Sequence, residues 1–539
     1  MEFAVIDYVV FCVYILVIVG AGIWVSTEEE GHEKDSADYF LASKSLPFWA
    51  IGSSLIASNI SAEQFIGMSG SGFRVGLAIA SYEWMAAVTL LVIAWFFLPI
   101  YLEKEIFTMP QFLERRYDSR VRTLLAVFWL LVYVFVNLTS VLYLGALAME
   151  GIMGTPLWLG ILGLAVFATT YSIYGGLKAV AWTDVIQVVV LIGGGLLTTW
   201  FALDAYGSVG PGPDGGVIGG FSKLMEDASG RFNMILFEGE LMYRNDAGAL
   251  KDAYQLLPGL GVILGGMWVA NLFYWGCNQY IIQRALAAKN LKEAQRGLAF
   301  AGYLKLLLPL VVVVPGIVAY ALEADISAAD QAYPWLLGQY LAPGLRGLAF
   351  AALVAAIVSS LASMMNSTAT IFTMDLYKTS SYGEDASETR LVTIGRAVSL
   401  ICIIIACLVA PQLAALDQAF QYIQEYTGFV SPGVLAVFMM GLFWKKATPN
   451  AALVSALLSI PLSAGIKFML PEVPFMRRML IVFFISVSLI VAVSYLENKG
   501  EDHPKAVDLS SVRMVGDPVY NAAAFGILGI TAALYAMFW

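Results

Sequence analysis

Several ionisable side chains lie inside long apolar stretches of the sequence, where a charge is costly. Among them are Glu83, Asp184, Lys305 and Lys467. A charged group at the centre of a membrane helix costs roughly 2.5 to 3.5 kcal/mol on insertion scales, so each needs a partner, a cavity or water. Glu83 and Lys305 carry opposite charges and can compensate each other, either within a binding site or as a structural salt bridge. Lys467 lies near the end of its stretch, and we expect its ammonium to extend to the interface.

A run of hydroxyl and amide side chains occupies residues 358–368. Ser359, Ser363 and Asn366 share one helical face, and Ser360, Ser367 and Thr368 lie close to it. Hydroxyl and carbonyl oxygens suit a hard monovalent cation that must bind and leave repeatedly, whereas a carboxylate cage favours a divalent ion. Taken alone, the run is explained better by hydrogen bonding between helices.

Two apolar segments are too polar and too rich in glycine to form straight helices. Residues 51–72 combine serine, asparagine and glycine, and we predict a break near residues 59–61. Residues 256–284 repeat this character with Asn271, Asn278 and Gln279. Two interrupted segments about 210 residues apart, each opening a block of five spans, are typical of an inverted-repeat transporter. Small residues at a tight helix crossing would give the same composition.

Other chemistries find little support in the sequence. The two histidines, His32 and His503, fall in predicted loops, and no nucleophile and base occur together, so we expect no enzyme. The cysteines lie in apolar stretches without metal-binding spacing. A net charge of −10 and the lack of a basic face argue against a nucleic-acid partner.

The composition predicts the elements that must position these residues. The 539 residues are 59% hydrophobic and 13% charged, whereas a soluble domain is roughly 45 to 50% apolar and about 25% charged. A soluble enzyme is therefore close to excluded. Apolar runs of helical length predict fourteen transmembrane helices, near 4–26, 47–72, 75–102, 120–151, 156–174, 178–205, 256–284, 297–322, 342–376, 391–411, 417–443, 450–470, 477–496 and 519–538.

The distribution of lysine and arginine predicts the orientation. With the N-terminus outside, alternate loops assigned to the cytoplasm hold twenty basic residues, Arg284 among them, and the outer loops hold eight. The positive-inside rule therefore places both termini outside. The long polar stretch at 207–258 is then extracellular, and its Gly-Pro-Gly-Pro-Asp-Gly-Gly run at 210–216 predicts irregular backbone and no separate domain.

The sequence resembles the sodium/solute symporter family, and most closely its bacterial sodium/galactose branch. The likeness runs from the first span to the last, with gaps mainly in the long outer loop and before Arg390. It is carried by Asn-Ile-Ser-Ala-Glu-Gln-Phe-Ile-Gly-Met-Ser-Gly-Ser-Gly at 59–72, Ala-Ser-Tyr-Glu-Trp at 80–84, Asn-Leu-Thr-Ser-Val-Leu-Tyr-Leu-Gly at 137–145, Tyr-Ser-Ile-Tyr-Gly-Gly-Leu at 171–177, Trp-Thr-Asp-Val-Ile-Gln at 182–187, Ser-Ser-Leu-Ala-Ser at 359–363, Asn-Ser-Thr-Ala-Thr-Ile-Phe-Thr-Met-Asp at 366–375 and Phe-Gln-Tyr-Ile-Gln at 420–424.

This resemblance implies an all-α integral membrane protein with about fourteen transmembrane helices and a leucine-transporter-like five-plus-five inverted repeat. One membrane domain would cover residues 1–539. Its parts would be an extra N-terminal helix at 4–26, a first repeat at 47–205, a long extracellular loop at 206–255, a second repeat at 256–443 and C-terminal helices at 450–539.

The resemblance also implies the site residues. The sugar would contact Gln64, Glu83, Asn271, Lys305 and Gln424. The inner gate would be Tyr274, stacked beneath the sugar ring and backed by Trp275, and the outer gate would be Met68, Tyr82 and Phe420. Sodium would be held by backbone oxygens of Ala57, Ile60 and Ala356 and by the hydroxyls of Ser359 and Ser360, with Asp184 along its exit. Two positions depart from the family pattern, Ala86 in place of a serine that contacts sugar and Phe273 in place of a tyrosine.

The implied activity is inward sodium flow coupled to uptake of a galactose-like or glucose-like hexose across a bacterial inner membrane. Sodium, the sugar and membrane lipid are the expected partners, and no obligate protein partner is inferred. The same mechanism with myo-inositol, sialic acid, proline or pantothenate remains an alternative. A carboxylate substrate would need a free cation, whereas Lys305 has Glu83 to share. A sugar sensor or an uncoupled channel is a further alternative, and a chain ending at Trp539, directly after the last span, predicts no signalling domain.

Overall fold

Helices make up 79% of the molecule, as expected of an apolar chain whose backbone must satisfy its own hydrogen bonds in lipid. The computed structural model describes residues 3–26, 35–208, 215–245, 248–415, 424–425 and 427–539. Its α-helices are α1 (Val5–Ser26), α2 (Ser36–Leu41), α3 (Phe48–Asn59), α4 (Ser69–Val75), α5 (Ser81–Val92), α6 (Leu98–Glu103), α7 (Met109–Arg116), α8 (Ser119–Val132), α9 (Thr139–Met153), α10 (Leu157–Gly207), α11 (Val217–Asp227), α12 (Met267–Gly276), α13 (Gln279–Leu286), α14 (Leu291–Ala321), α15 (Ala332–Tyr340), α16 (Leu345–Ile371), α17 (Glu388–Val409), α18 (Ser431–Phe443), α19 (Pro449–Met469), α20 (Phe475–Asn498) and α21 (Pro518–Met537).

Many of these helices join end to end into membrane-spanning units. Short π-helical turns link several of them, at Glu63–Met68, Ile93–Phe97, Tyr133–Leu138, Val262–Gly266 and Phe372–Tyr377. In the described part of the chain, ten helices are long and apolar enough to cross a membrane, and three shorter apolar helices accompany them. The chain is therefore a multi-pass membrane protein.

The first predicted break is confirmed. Helix α3 ends at Asn59, and Ile60 has an extended backbone (φ −79°, ψ 117°). The amide of Ser61 then donates to Gln64 Oε1 at 2.9 Å instead of continuing the helix. The chain resumes through the π-helical turn and α4. The carbonyls at the end of α3 are thereby left without helical partners, as at any helix terminus.

The second predicted break is also confirmed. Helix α12 ends at Gly276, Asn278 is extended (φ −90°, ψ 119°), and α13 begins at Gln279. A further non-helical position lies earlier in the same segment, at Gly265 (φ −136°, ψ −114°). Both segments predicted to be discontinuous therefore are so, and a buried asparagine, Asn59 or Asn278, lies at each interruption.

The predicted division between residues 174 and 178 corresponds to a bend at Gly176 within α10. Its backbone has φ 60° and ψ −155°, so only glycine adopts it without strain. A Cβ at this position would also overlap the carbonyl oxygen of Tyr39. The bend separates the apolar helix Leu157–Ile173 from the span Gly175–Gly207.

Most of the run at 210–216, where irregular backbone is predicted, lies outside the described residues, and the rest of the long polar stretch at 207–258 includes regular elements. This segment contains α11 and a two-stranded antiparallel sheet of β1 (Met242–Arg244) and β2 (Leu250–Asp252), in which Tyr243 pairs with Lys251. The apolar face of α11 buries Leu224, which packs this helix against the rest of the protein.

Helix α16 lies at the centre of the molecule. In its span, Leu345–Tyr377, 94% of the most apolar stretch is buried by protein. The corresponding buried share is 17% in α1 and 22% in α19. Helix α16 packs against α1, α3 and α10. The polar run at 358–368 is therefore enclosed by protein and not by lipid.

Lys467 has a partner that its sequence surroundings do not suggest. Its ammonium lies 3.0 Å from Glu425 Oε1, and Arg478 donates to the same oxygen at 2.5 Å. Glu425 directly follows Gln424. The C-terminal helices α19 and α20 thus hold the segment that carries a predicted sugar contact.

Candidate functional site

A cavity of about 1070 Å³, including its mouth, lies where the two broken segments meet. Six side chains predicted to contact substrate line it together, namely Gln64, Glu83, Asn271, Tyr274, Lys305 and Gln424. Met68, Tyr82 and Trp275, predicted as gates, line it too, as do Ala86 and Phe273. Phe420 lies outside the described residues.

Glu83 and Lys305 form a buried ion pair, as the cost of lone charges in an apolar stretch predicts. The two side chains are 4% and 1% exposed. The Lys305 ammonium donates to Glu83 Oε2 and also to Asn59 Oδ1. It lies 5.1 Å from the centre of the Trp275 ring, close enough for a cation–π interaction. These contacts connect α5, α14 and the two breaks. The positive charge of Lys305 is compensated by Glu83, so it is not available to neutralise an anionic ligand.

Tyr274 closes one side of the cavity and is held by both broken segments. Asn59 Nδ2 donates to its hydroxyl at 2.9 Å, and the Tyr280 hydroxyl donates to the same oxygen at 2.5 Å. Trp275 packs against the Tyr274 ring edge to face, with centroids 5.2 Å apart. Because Asn59 belongs to the first break and Tyr280 follows the second, any movement between the breaks alters the support of this ring.

Some polar atoms in the cavity wall have no protein partner among the described residues. Asn271 Nδ2 and Ser431 Oγ are both buried and unpaired. Buried polar groups in native proteins are almost always hydrogen-bonded, so an orphaned donor in a cavity indicates a ligand or water. Amides, carboxylate, ammonium and hydroxyls beside aromatic rings suit a ligand that carries several hydroxyls and an apolar face.

A second cluster of oxygens forms where α16 meets the end of α3. The Ser360 hydroxyl donates to the carbonyls of Ser58 and Ile60, each at 3.1 Å. The hydroxyls of Ser58 and Ser363 lie 2.7 Å apart. Ala57 and Ala356 are fully buried on the same two helices. Backbone carbonyls at a helix end and neutral hydroxyls in a closed site match the ligands of an alkali cation.

Asp184 lies beside this cluster, on α10. Its Oδ1 accepts from Ser359 at 2.6 Å and its Oδ2 from Ser54 at 2.5 Å. The Ser54 hydroxyl also accepts from Arg284 Nε at 3.3 Å. Asp184 and Arg284 are both fully buried. The assignment of Arg284 to an inner loop is therefore wrong, because the second break turns this side chain into the protein.

The sequence analysis gave no site role to four residues that the structure places at or beside the site: Asn59, Glu63, Tyr280 and Arg284. Asn59 and Glu63 flank the first break, and Tyr280 and Arg284 follow the second. Polar or ionisable side chains within a turn of a predicted break are the signal that would have found them, because backbone at a break needs partners.

Comparison with known proteins identifies one family and relatives that cover most of the chain. The model of the family described as "Sodium:solute symporter family" matches residues 39–459. The "Sodium/glucose cotransporter" of Vibrio parahaemolyticus is 52% identical over 99% of this chain and 98% of its own length. The human "Sodium/myo-inositol cotransporter 2" is 34% identical over 84% of this chain and 68% of its own.

Solved structures share the fold. A Na+-coupled sialic acid symporter in a substrate-bound, outward-open state superimposes with a TM-score of 0.77 at 22% identity, covering 92% of this chain and 98% of its own. A nucleobase-cation-symport-1 family transporter in a closed conformation gives a TM-score of 0.51 at 12% identity, covering 91% and 99%. The helical arrangement is thus one that known sodium-coupled and cation-coupled carriers use.

Proposed function

The chain belongs to the sodium:solute symporter family, and we propose that it couples inward sodium flow to the uptake of a galactose-like or glucose-like hexose by alternating access. The observation that carries this proposal is the cavity between the two breaks. It combines an orphaned amide, paired charges and aromatic faces. A hexose presents hydroxyls that both donate and accept, and its C–H face packs on aromatic rings.

We assign the sugar contacts to Gln64, Glu83, Asn271, Lys305 and Gln424. Glu83 and Lys305 each keep hydrogen-bonding capacity beyond their ion pair, so a sugar hydroxyl can bridge them. Tyr274, backed by Trp275, is the proposed inner gate, and its dependence on Asn59 and Tyr280 supports that role. Met68, Tyr82 and Phe420 are the proposed outer gate.

The proposed sodium ligands are the carbonyls of Ala57, Ile60 and Ala356 and the hydroxyls of Ser359 and Ser360. The hydrogen bonds from Ser360 to the end of α3 support this assignment, since they bring hydroxyl and carbonyl oxygens together. Sodium bound between α3 and α16 would fix the position of the first break, and with it one wall of the sugar cavity. Asp184, which accepts from Ser359, is the proposed first contact on the exit path.

The proposed topology has fourteen transmembrane helices, both termini outside, and two inverted repeats at 47–205 and 256–443 in a bacterial inner membrane. Two discontinuous segments, each opening one of these blocks, support the repeat. One sodium ion moving down about 100 mV and a tenfold gradient releases roughly 2.3 and 1.4 kcal/mol, enough for about 500-fold sugar accumulation.

Uptake into proteoliposomes tests the proposal. We expect labelled galactose or glucose to accumulate when an inward sodium gradient is imposed and not when choline replaces sodium. Uptake that is indifferent to sodium would contradict symport, and proline transported in preference to hexoses would contradict the sugar assignment. Myo-inositol is the second candidate, because it offers the same ring of hydroxyls and curated relatives at 34% identity carry its name.

A further inference from the structure

The cavity is lined by more acidic than basic side chains. Of the described residues that line it, Glu63, Glu83 and Lys305 are the acidic and basic ones. Lys305 is committed to Glu83 and Asn59. Glu63 therefore brings a second carboxylate to the cavity, and none of the ion pairs among the described residues involves it.

The local structure leaves one oxygen of Glu63 available. Glu63 begins the π-helical turn after the first break. Its amide donates to Ser61 Oγ at 3.1 Å, and its Oε1 accepts from Ser140 Oγ at 3.2 Å. Its Oε2 accepts from no described residue, while the side chain lines the cavity.

We propose that Glu63 sets the charge selectivity of the cavity: it disfavours solutes that carry a carboxylate and accepts a hydroxyl of a neutral polyol. This inference rests on the function proposed above. A bound anion would face Glu63 in poorly screened surroundings, and the one nearby ammonium could compensate it only by leaving Glu83. A neutral hydroxyl meets no repulsion and can donate to the free oxygen. Selectivity would thus come from a repulsive element as well as from matched contacts.

Competition between an acid and its amide tests this inference, because the two have nearly the same shape and differ in charge. Inhibition of labelled galactose uptake is measured with galacturonate and with galacturonamide. In the unmodified protein we expect the amide to inhibit at a concentration lower by about tenfold or more. Glu63→Gln should bring the two inhibition constants to within about threefold of each other.

Matched variants separate charge from shape. Glu63→Asp keeps the charge, and Ser140→Ala removes the hydrogen bond to Oε1, so both should keep the preference for the amide. If Glu63→Gln does not transport, the two ligands are compared by quenching of tryptophan fluorescence in detergent, with Glu63→Ala as a second neutral variant.

The outcomes are distinguishable. A ratio that is unchanged in both neutral variants would overturn the role of Glu63, and so would equal inhibition by acid and amide in the unmodified protein. If the unmodified protein takes up neither galactose nor myo-inositol, the proposed function fails first.

Discussion

At the residue scale, the proposed sodium site and the proposed sugar site use different side chains. Ser360 contacts the end of α3 and does not line the cavity, whereas Gln424 lines it. We expect Ser360→Ala to raise the sodium concentration for half-maximal uptake by about tenfold, since one ligand is lost, with little change in galactose affinity at saturating sodium. Gln424→Ala should do the reverse. Sodium and galactose titrations of uptake check both, and identical effects would contradict two separate sites.

The buried pair of Glu83 and Lys305 gives a second test. Lys305→Met leaves a buried carboxylate uncompensated, so we expect it to lower the free energy of unfolding by about 3 to 5 kcal/mol. The double variant Lys305→Met with Glu83→Gln should recover most of that stability but no galactose uptake, because two of the proposed sugar contacts are lost. Thermal unfolding in detergent and uptake measure the two effects. A double variant as unstable as the single one would contradict the pairing.

Residues differ in how far sequence predicts them. The cost of a lone charge sufficed to predict Glu83 with Lys305. The same cost applies to Glu63 and Arg284, but each is close to a segment end or break, where sequence cannot tell an exposed side chain from a buried one. The course of the backbone after each break decides this. The sequence shows that Asn271 is a polar residue in an apolar segment, but it does not show that its amide lacks a hydrogen-bond partner in the protein.

At the element scale, the N-terminal helix α1 is fastened to the helix of the proposed sodium site. Asp7 is fully buried. Its Oδ1 accepts from the amides of Gly344 and Gly347 at 2.7 and 2.8 Å, and its Oδ2 from Ala4 at 3.0 Å. A carboxylate at this end satisfies orphan amides of α16 and complements its dipole.

We therefore expect Asp7→Ala to lower the free energy of unfolding by about 1 to 2 kcal/mol and to weaken sodium activation, because α16 carries Ser359 and Ser360. Val9→Ala, at a half-exposed position of α1, is the control. Thermal unfolding and sodium titration check the expectation. If Asp7→Ala behaves like the control, α1 makes no contribution to the ion site.

At the element scale, glycine, serine and asparagine in otherwise apolar runs predict where helices are interrupted. Non-helical backbone at membrane depth is tolerated only where protein or a water-filled cavity surrounds it, which is where these residues lie. Glycine and proline predict irregular backbone at 210–216, most of which lies outside the described residues, whereas the described residues that follow form α11 and a two-stranded sheet. The cap from Asp7 to Gly344, across 337 residues of chain, is a tertiary contact that no local pattern encodes.

At the scale of the whole molecule, coupling requires that one conformation serve both ligands. The first break contributes the carbonyl of Ile60 to the proposed sodium site and the polar side chains of Asn59 and Gln64 to the cavity. A ligand can shift a conformational equilibrium only by its difference in affinity between the two states. Sodium and sugar that stabilise the same position of this break therefore strengthen each other's binding.

Reciprocal binding in detergent tests this central claim most directly. The affinity for galactose is measured with sodium and with choline in its place, and the affinity for sodium with and without galactose. We predict that sodium tightens galactose binding by at least about tenfold, and that galactose tightens sodium binding by the same factor, as linkage requires. Galactose binding of equal strength in sodium and in choline would contradict the account.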